Sequence, residues 1–385
     1  MTGVGDDRGF ETRAVHAGQE PDPATGAVVP PISLSTTFAQ QGVGRHRGWE
    51  YSRSANPTRA ALETAIASLE GARHGLAFAS GLAAEDAVLR QLARGAGVVL
   101  GGDAYGGTFR LIDKVYGASG HPWRALDLTD PARLEAEWPA GTAMVWAETP
   151  TNPAMAVVDI AAVAEVAHAH DARLVVDNTF ATPYLQQPLA LGADVVVHSS
   201  TKYLGGHSDV VGGCVALDDD DLAAMIGFTQ NAVGAVPSPV DCYLVHRGLK
   251  TLPIRMDRHC DNARAVVEVL TDHPAVARVL WPGLPGHPGH DVAKRQMRDF
   301  GGMVSFVLRG GEAAAITVAE ATRLFTLAES LGAVESLIEH PGRMTHSSAA
   351  GSPLEVDPAL IRLSVGIETA ADLVADLRQA LDTVA

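Results

Sequence analysis

The run His198-Ser199-Ser200-Thr201-Lys202-Tyr203-Leu204-Gly205-Gly206-His207-Ser208-Asp209 holds the residues whose chemistry is easiest to read. The apolar segment Ala193-Asp194-Val195-Val196-Val197 delivers hydroxyl residues and one lysine, and glycines that admit a close ligand follow. A lysine at the end of a buried strand needs an anion, solvent, or a carbonyl carbon with which its amine can form a Schiff base. Ser199 and Thr201 are good hydrogen-bonders to phosphate. The plain alternative is a structural lysine in an ordinary loop.

Asp177 ends another apolar segment, Leu174-Val175-Val176-Asp177, 25 residues before Lys202. An acid opposite a pyridine nitrogen keeps that ring protonated, so Lys202 and Asp177 together point to pyridoxal 5′-phosphate (PLP). Ser80-Gly81-Leu82-Ala83 joins a strand to a helix start, where the N–H groups of Gly81 and Leu82 suit an anion. Tyr105, among Gly106 and Gly107, can stack on a planar ligand. Arg53, after Tyr51, suits bidentate phosphate contact. Pro150 and Pro153 stiffen the loop carrying Asn152. Arg362 interrupts an apolar strand, so it needs an anionic partner, either a substrate carboxylate or a structural acid. His287 and His290 lack a third ligand and read as loop residues, so no metal is expected.

The elements that position these residues alternate. A helix is expected from Pro57, carrying Leu62, Ile66 and Leu69 on one face. Short apolar strands are expected at 74–80, 98–100, 143–147, 174–177 and 193–197, with helices starting at Gly81 and covering 159–170. That pattern predicts an α/β fold with a mainly parallel sheet covered on both faces, and ligands at the carboxyl ends of its strands. Ser80, Glu148, Asp177 and Ser199 stand at such ends. A long helix over roughly 240–270 leads to a smaller α/β unit with strands at 278–280, 303–308 and 361–365. The expected organisation is an N-terminal arm, 1–55, broken by prolines and reaching a neighbouring subunit; a large domain, 56–250; and a small domain, 251–385.

Composition narrows the function classes. The 385 residues carry a net charge of −16, which repels nucleic acid and anionic membranes. No apolar run approaches the roughly 18 residues that a membrane span needs. Residues 1–10 do not resemble a signal peptide. The odd cysteine count of three (Cys214, Cys242, Cys260) suits a reducing cytoplasm.

With these runs in hand, the chain resembles the Cys/Met-metabolism PLP-dependent (trans-sulfuration) enzymes of fold type I. The matching runs include Tyr51-Ser52-Arg53, Asn56-Pro57-Thr58-Arg59, Ser80-Gly81-Leu82-Ala83-Ala84, Asp103-Ala104-Tyr105-Gly106-Gly107-Thr108, Glu148-Thr149-Pro150-Thr151-Asn152-Pro153, Ser199-Ser200-Thr201-Lys202-Tyr203, Glu329-Ser330-Leu331-Gly332 and Arg362-Leu363-Ser364-Val365-Gly366, in order along the whole chain. The resemblance implies a seven-stranded type of sheet and a smaller C-terminal domain. It implies Lys202 as the Schiff-base lysine, Asp177 at the ring nitrogen and Tyr105 stacked on the ring. Gly81, Leu82, Ser199 and Thr201 would hold the phosphate. Tyr51 and Arg53 would reach the phosphate of a neighbouring subunit, so that the site is built by a dimer and the assembly is a tetramer. Asn152, Ser330 and Arg362 would bind the substrate carboxylate region, with Arg110 and Glu329 on the distal side.

The expected activity is γ-elimination of L-cystathionine to cysteine, 2-oxobutanoate and ammonia. γ-Replacement on an acylated homoserine by cysteine is the close alternative, because both use the same residues. Gly107 stands where methionine γ-lyases carry cysteine, which disfavours that activity. Lys202 is expected to move the Cα proton and Tyr105 to act as proton donor or acceptor, its phenol lowered from about 10 by nearby cations. A catalytically silent scaffold would have lost Lys202, Asp177 or Tyr105, and all three are present.

Overall fold

The computed structural model describes residues 7–346, 351–352 and 354–385. A seven-stranded sheet is built from β1 (His74–Phe78), β2 (Gly97–Gly101), β3 (Trp123–Leu126), β4 (Thr142–Glu148), β5 (Arg173–Asp177), β6 (Val195–Ser199) and β7 (Gly213–Leu217). Their spatial order is β1-β7-β6-β5-β4-β2-β3. The pairs between β6, β5, β4, β2 and β3 are parallel, and β7 alone runs antiparallel to its neighbours β1 and β6.

Burial on both faces explains why these strands read as near-continuous apolar runs. Val195, Val197 and Val215 pack with Val88, Leu222 and Ile226 on one face. Val196, Cys214 and Ala216 pack with Leu62, Ile66 and Leu69 on the other. Farther along that second layer, Val163 and Ala167 cover Leu174 and Val176. The helix Pro57–Glu70 has clear local causes. Asn56 caps it by accepting from the N–H groups of Thr58 and Arg59, Pro57 occupies its first turn, and Gly71 ends it in the left-handed region.

The second sheet joins β8 (Val276–Leu280), β9 (Met303–Leu308), β10 (Thr326–Leu327), β11 (Leu337–Glu339) and β12 (Leu360–Ser364) in the order β10-β11-β12-β9-β8. Only its β10–β11 pair is parallel. Alternation along β12 decides which residues reach the site. Ile361 and Leu363 enter a core with Phe306, Val266 and Leu377. Arg362 and Ser364 therefore face the opposite way, toward the large sheet.

Two expectations change. The helical stretch at 240–270 is two helices, Pro239–Leu249 and Leu252–Asp272, because Pro253 in the first turn of the second starts a new helix. Strand β7 was not anticipated; Gly-Cys-Val-Ala-Leu has no alternation, and one of its partners, β1, lies far back in the sequence. Residues 17–56 hold no helix and run over the surface, with Val28, Leu34 and Val43 exposed. The cysteines Cys214, Cys242 and Cys260 are buried free thiols. Among the described residues no helix is long and apolar enough to cross a membrane, and no cluster of side chains suits a metal.

Candidate active site

A cavity of about 290 Å³ opens at the carboxyl ends of the central strands, with the second sheet forming its far wall. Ser80, Gly81 and Leu82 line it from the turn after β1. Asp177 lines it from the end of β5, and Ser199, Thr201 and Lys202 from β6 and the turn beyond. Tyr105 and Asn152 enter from neighbouring loops, and Glu329, Ser330 and Arg362 from the second sheet and its approach. Residues spread over 283 positions of sequence (80 to 362) thus meet in one place.

Lys202 Nζ donates to Ser330 Oγ at 2.7 Å. Burial and the Arg362 charge lower this amine from its ordinary 10.5 to about 8, against a smaller upward pull from Glu339 and Glu329. Ser330 sits at φ 85, in the left-handed region that a non-glycine residue seldom enters. Its carbonyl accepts from Arg362 Nη2 at 2.8 Å, which fixes the turn that presents its hydroxyl to the lysine.

Arg362 is 2 % exposed and satisfies the requirement for an anion through Glu339, at 2.9 Å. Its Nη1 also donates to Asn152 Oδ1 at 2.8 Å. The structural acid and the substrate-facing position are therefore both present, and the guanidinium reaches the cavity already oriented. Glu339 accepts in turn from Thr345 Oγ1 at 2.8 Å. Burial raises Glu339, and Arg362 opposes that rise.

Glu148 escaped the sequence reading as a site residue, although its place at the end of β4 was recognised. It accepts from Tyr105 N at 2.9 Å and from Asn152 N at 2.7 Å, so one carboxylate clamps both loops. Asp177 accepts from Thr179 N at 2.9 Å, and Thr179 Oγ1 accepts from Ser199 N at 2.9 Å. That chain ties the ends of β5 and β6 together. Burial raises Asp177, and the Thr179 hydrogen bonds pull it down.

Tyr105 departs from expectation. Burial and the charges of Glu85, Glu329 and Glu148 raise its phenol, and Arg110 opposes that rise. Burial is the largest of these effects, so Tyr105 holds its proton at neutral pH. Arg110 itself is exposed and is not on the cavity wall. Tyr51, 46 % exposed, and Arg53 also lie outside it; Arg53 Nη1 donates instead to Asn231 O and Oδ1. Thr201 exchanges hydrogen bonds with the Gly212 backbone, which fixes the turn after β6.

The donor set fits PLP. A buried amine is poised near neutrality, an acid stands one strand away, and a helix start borders the cavity between them. Ser80 Oγ caps that helix by accepting from Ala83 N at 3.1 Å. A Cβ on Gly81 would lie 3.0 Å from Ser199 Cβ, in space that the bare glycine leaves clear.

Comparison with known proteins agrees with this donor set. The family described as Cys/Met metabolism PLP-dependent enzyme matches residues 11–382. The cystathionine gamma-synthase of Mycobacterium tuberculosis is 58 % identical over 97 % of this chain and 97 % of its own length. The cystathionine gamma-lyase of Sus scrofa is 52 % identical over 97 % of this chain and 93 % of its own. Among solved structures, metB from Corynebacterium glutamicum superposes with a TM-score of 0.97 at 53 % identity, covering 98 % of this chain and 99 % of that one.

Proposed function

Because the chain belongs to the Cys/Met metabolism PLP-dependent enzymes, we propose that it catalyses γ-replacement, joining cysteine to an O-acyl-homoserine to give cystathionine and the free acid. The observation that carries this choice is the higher identity to a γ-synthase, 58 %, than to a γ-lyase, 52 %. The residues alone favoured elimination only on the ground that it asks less of the site. That ground is weaker than likeness along nearly the whole chain.

Bound PLP supplies an electron sink for negative charge developing beside the substrate amino group. Everything else is the work of side chains. Arg362, held by Glu339 and Asn152, receives the substrate α-carboxylate, and its fixed fork orients the amino acid. Lys202 takes the proton from Cα; its lowered amine is a usable base near neutral pH. Ser330 holds Nζ on the substrate side between proton transfers. Asp177 would hold the ring nitrogen of bound PLP. Tyr105, protonated, would flank the ring and give its proton to the departing acyloxy oxygen. Glu329, exposed at the rim, selects what enters at the γ position, with Arg110 farther out. Tyr51 and Arg53 on the exposed arm complete the phosphate site of a neighbouring copy, which makes the working unit a dimer and the assembly a pair of dimers.

The test is product analysis. Purified holoenzyme given O-succinyl- or O-acetylhomoserine with cysteine is expected to release cystathionine, detected by mass spectrometry. Cystathionine supplied alone is expected to be a poor substrate. Faster release of 2-oxobutanoate and cysteine from cystathionine than cystathionine formation would overturn replacement in favour of elimination.

A further inference from the structure

One buried cation stands off the cavity wall and has no part in the chemistry above. Arg59 lies in the first turn of the helix Pro57–Glu70 and is 3 % exposed. Its Nη1 donates to Ser52 O at 2.9 Å. Its Nη2 donates to Ser54 O at 3.0 Å and to Arg53 O at 3.2 Å. One guanidinium thus takes three successive carbonyls, from the segment in which Tyr51 and Arg53 stand. Those two side chains pack as a pair, with Arg53 Cζ 5.7 Å from the centre of the Tyr51 ring.

Apolar burial does little to fix the arm, where Val28, Leu34 and Val43 are exposed. Arg59, by contrast, is anchored from behind. Its helix packs Leu62, Ile66 and Leu69 under the large sheet. Its Nε lies 3.5 Å from Glu63 Oε1. The same oxygen accepts from Ala77 N at 3.1 Å and from Gln230 Nε2 at 3.0 Å. Ala77 belongs to β1, three residues before Ser80. The segment carrying Tyr51 and Arg53 is therefore tied to the rigid sheet through one side chain. A buried guanidinium needs acceptors for its fork, and three converging carbonyls supply them. A lysine's single ammonium cannot serve that fork.

We propose that Arg59 is a positioning residue that acts across the subunit boundary: it holds the backbone of 52–54 so that Tyr51 and Arg53 meet the cofactor phosphate of the neighbouring copy. Bidentate contact with a phosphate depends on where the fork is held, so a loosened backbone loses it. Arg59 itself touches neither cofactor nor substrate. Its role rests on the exchange of arms proposed above and is independent of whether replacement or elimination follows.

The test compares PLP with pyridoxal, the same ring without the phosphate, each titrated into apoprotein and followed by the visible band. Arg59→Met is expected to weaken PLP at least about tenfold and pyridoxal less than about twofold, because the phosphate contact alone is displaced. Arg59→Lys keeps the charge and loses the fork; it is expected to fall between wild type and Arg59→Met, and it carries the same comparison if Arg59→Met does not fold. Equal weakening of PLP and pyridoxal would overturn the proposal. The Arg59 variant is then unfolded and refolded together with Lys202→Ala. Only chains that keep Lys202 give the band, and about half of them then face an intact arm from a Lys202→Ala chain. The PLP titration is expected to be biphasic, with about half of the band formed at wild-type affinity. A uniformly weak titration would overturn the proposal. Arg53→Ala refolded with Lys202→Ala separates the two readings. A biphasic titration there with a uniform one for Arg59 removes this inference and leaves the exchange of arms standing. Uniform titrations in both remove the exchange of arms as well, and neither result touches the proposed reaction.

Discussion

At the scale of single residues, electrostatics sets when each group can act. An amine attacks a carbonyl only in its neutral form. An ordinary lysine, with a pKa near 10.4, is neutral in only about one molecule in 2,500 at pH 7. Lys202, lowered to about 8, is neutral in roughly one in ten. The rate at which apoprotein captures PLP, followed by growth of the visible band, is therefore expected to rise about tenfold per pH unit below pH 8 and to level off above it. A rate still climbing to pH 10 would mean that the amine is not depressed. Arg362 makes three oriented contacts, to Glu339, Asn152 and the Ser330 carbonyl, which a lysine's point charge cannot reproduce. Arg362→Lys is expected to raise KM for the amino-acid substrate at least about tenfold, a loss of about 1.4 kcal/mol, while the band of bound cofactor remains. An unchanged KM would remove Arg362 from substrate binding. Lys202, Asp177 and Arg362 were visible in the sequence because each breaks an apolar strand. Glu148 was not read as a site residue, because an acid before a loop looks solvated until its surroundings are known.

At the scale of elements, the strand-to-helix turn at Ser80–Gly81 is positioned by a strand that sequence periodicity did not reveal. Gly213, the first residue of β7, passes so close beneath this turn that a Cβ there would lie 2.2 Å from Ser80 O and 2.9 Å from Gly81 Cα. Both neighbours are backbone, so the turn itself must move. Gly213→Ala is expected to destabilise the protein by roughly 1–3 kcal/mol, as overpacking does. It is also expected to weaken PLP affinity more than tenfold, measured by equilibrium dialysis against the wild type. Normal affinity in a destabilised variant would show that the turn does not hold the phosphate. The helices beginning at Pro57 and Gly81 were legible because their caps are local, from Asn56 and Ser80. β7 was not, because its residues do not alternate and one of its partners, β1, lies far back in the chain.

At the scale of the whole molecule, the proposed exchange of arms between copies has a numerical consequence. Arg53→Ala and Lys202→Ala damage parts of one site that come from different chains. Each variant alone is expected to be nearly inactive. After mixing, unfolding and refolding together, half of the dimers are mixed, and one site in each mixed dimer is intact, so activity is expected to recover to about a quarter of the wild type. No recovery would mean that Arg53 serves its own chain.

The order of chemical residues along the chain was sufficient to indicate the cofactor, the parallel sheet and the family, because each depends on local signals: a polar residue ending an apolar strand, a capped helix start, a proline-stiffened loop. The tertiary structure decided which of those residues share a cavity, and how their charges are balanced. It put Arg362 on Glu339, let Glu148 hold two loops at once, and raised Tyr105 where cations were expected to lower it. The physical reason is that a pKa and a hydrogen-bond partner depend on distance and burial, and both are set only when strands remote in sequence pack together.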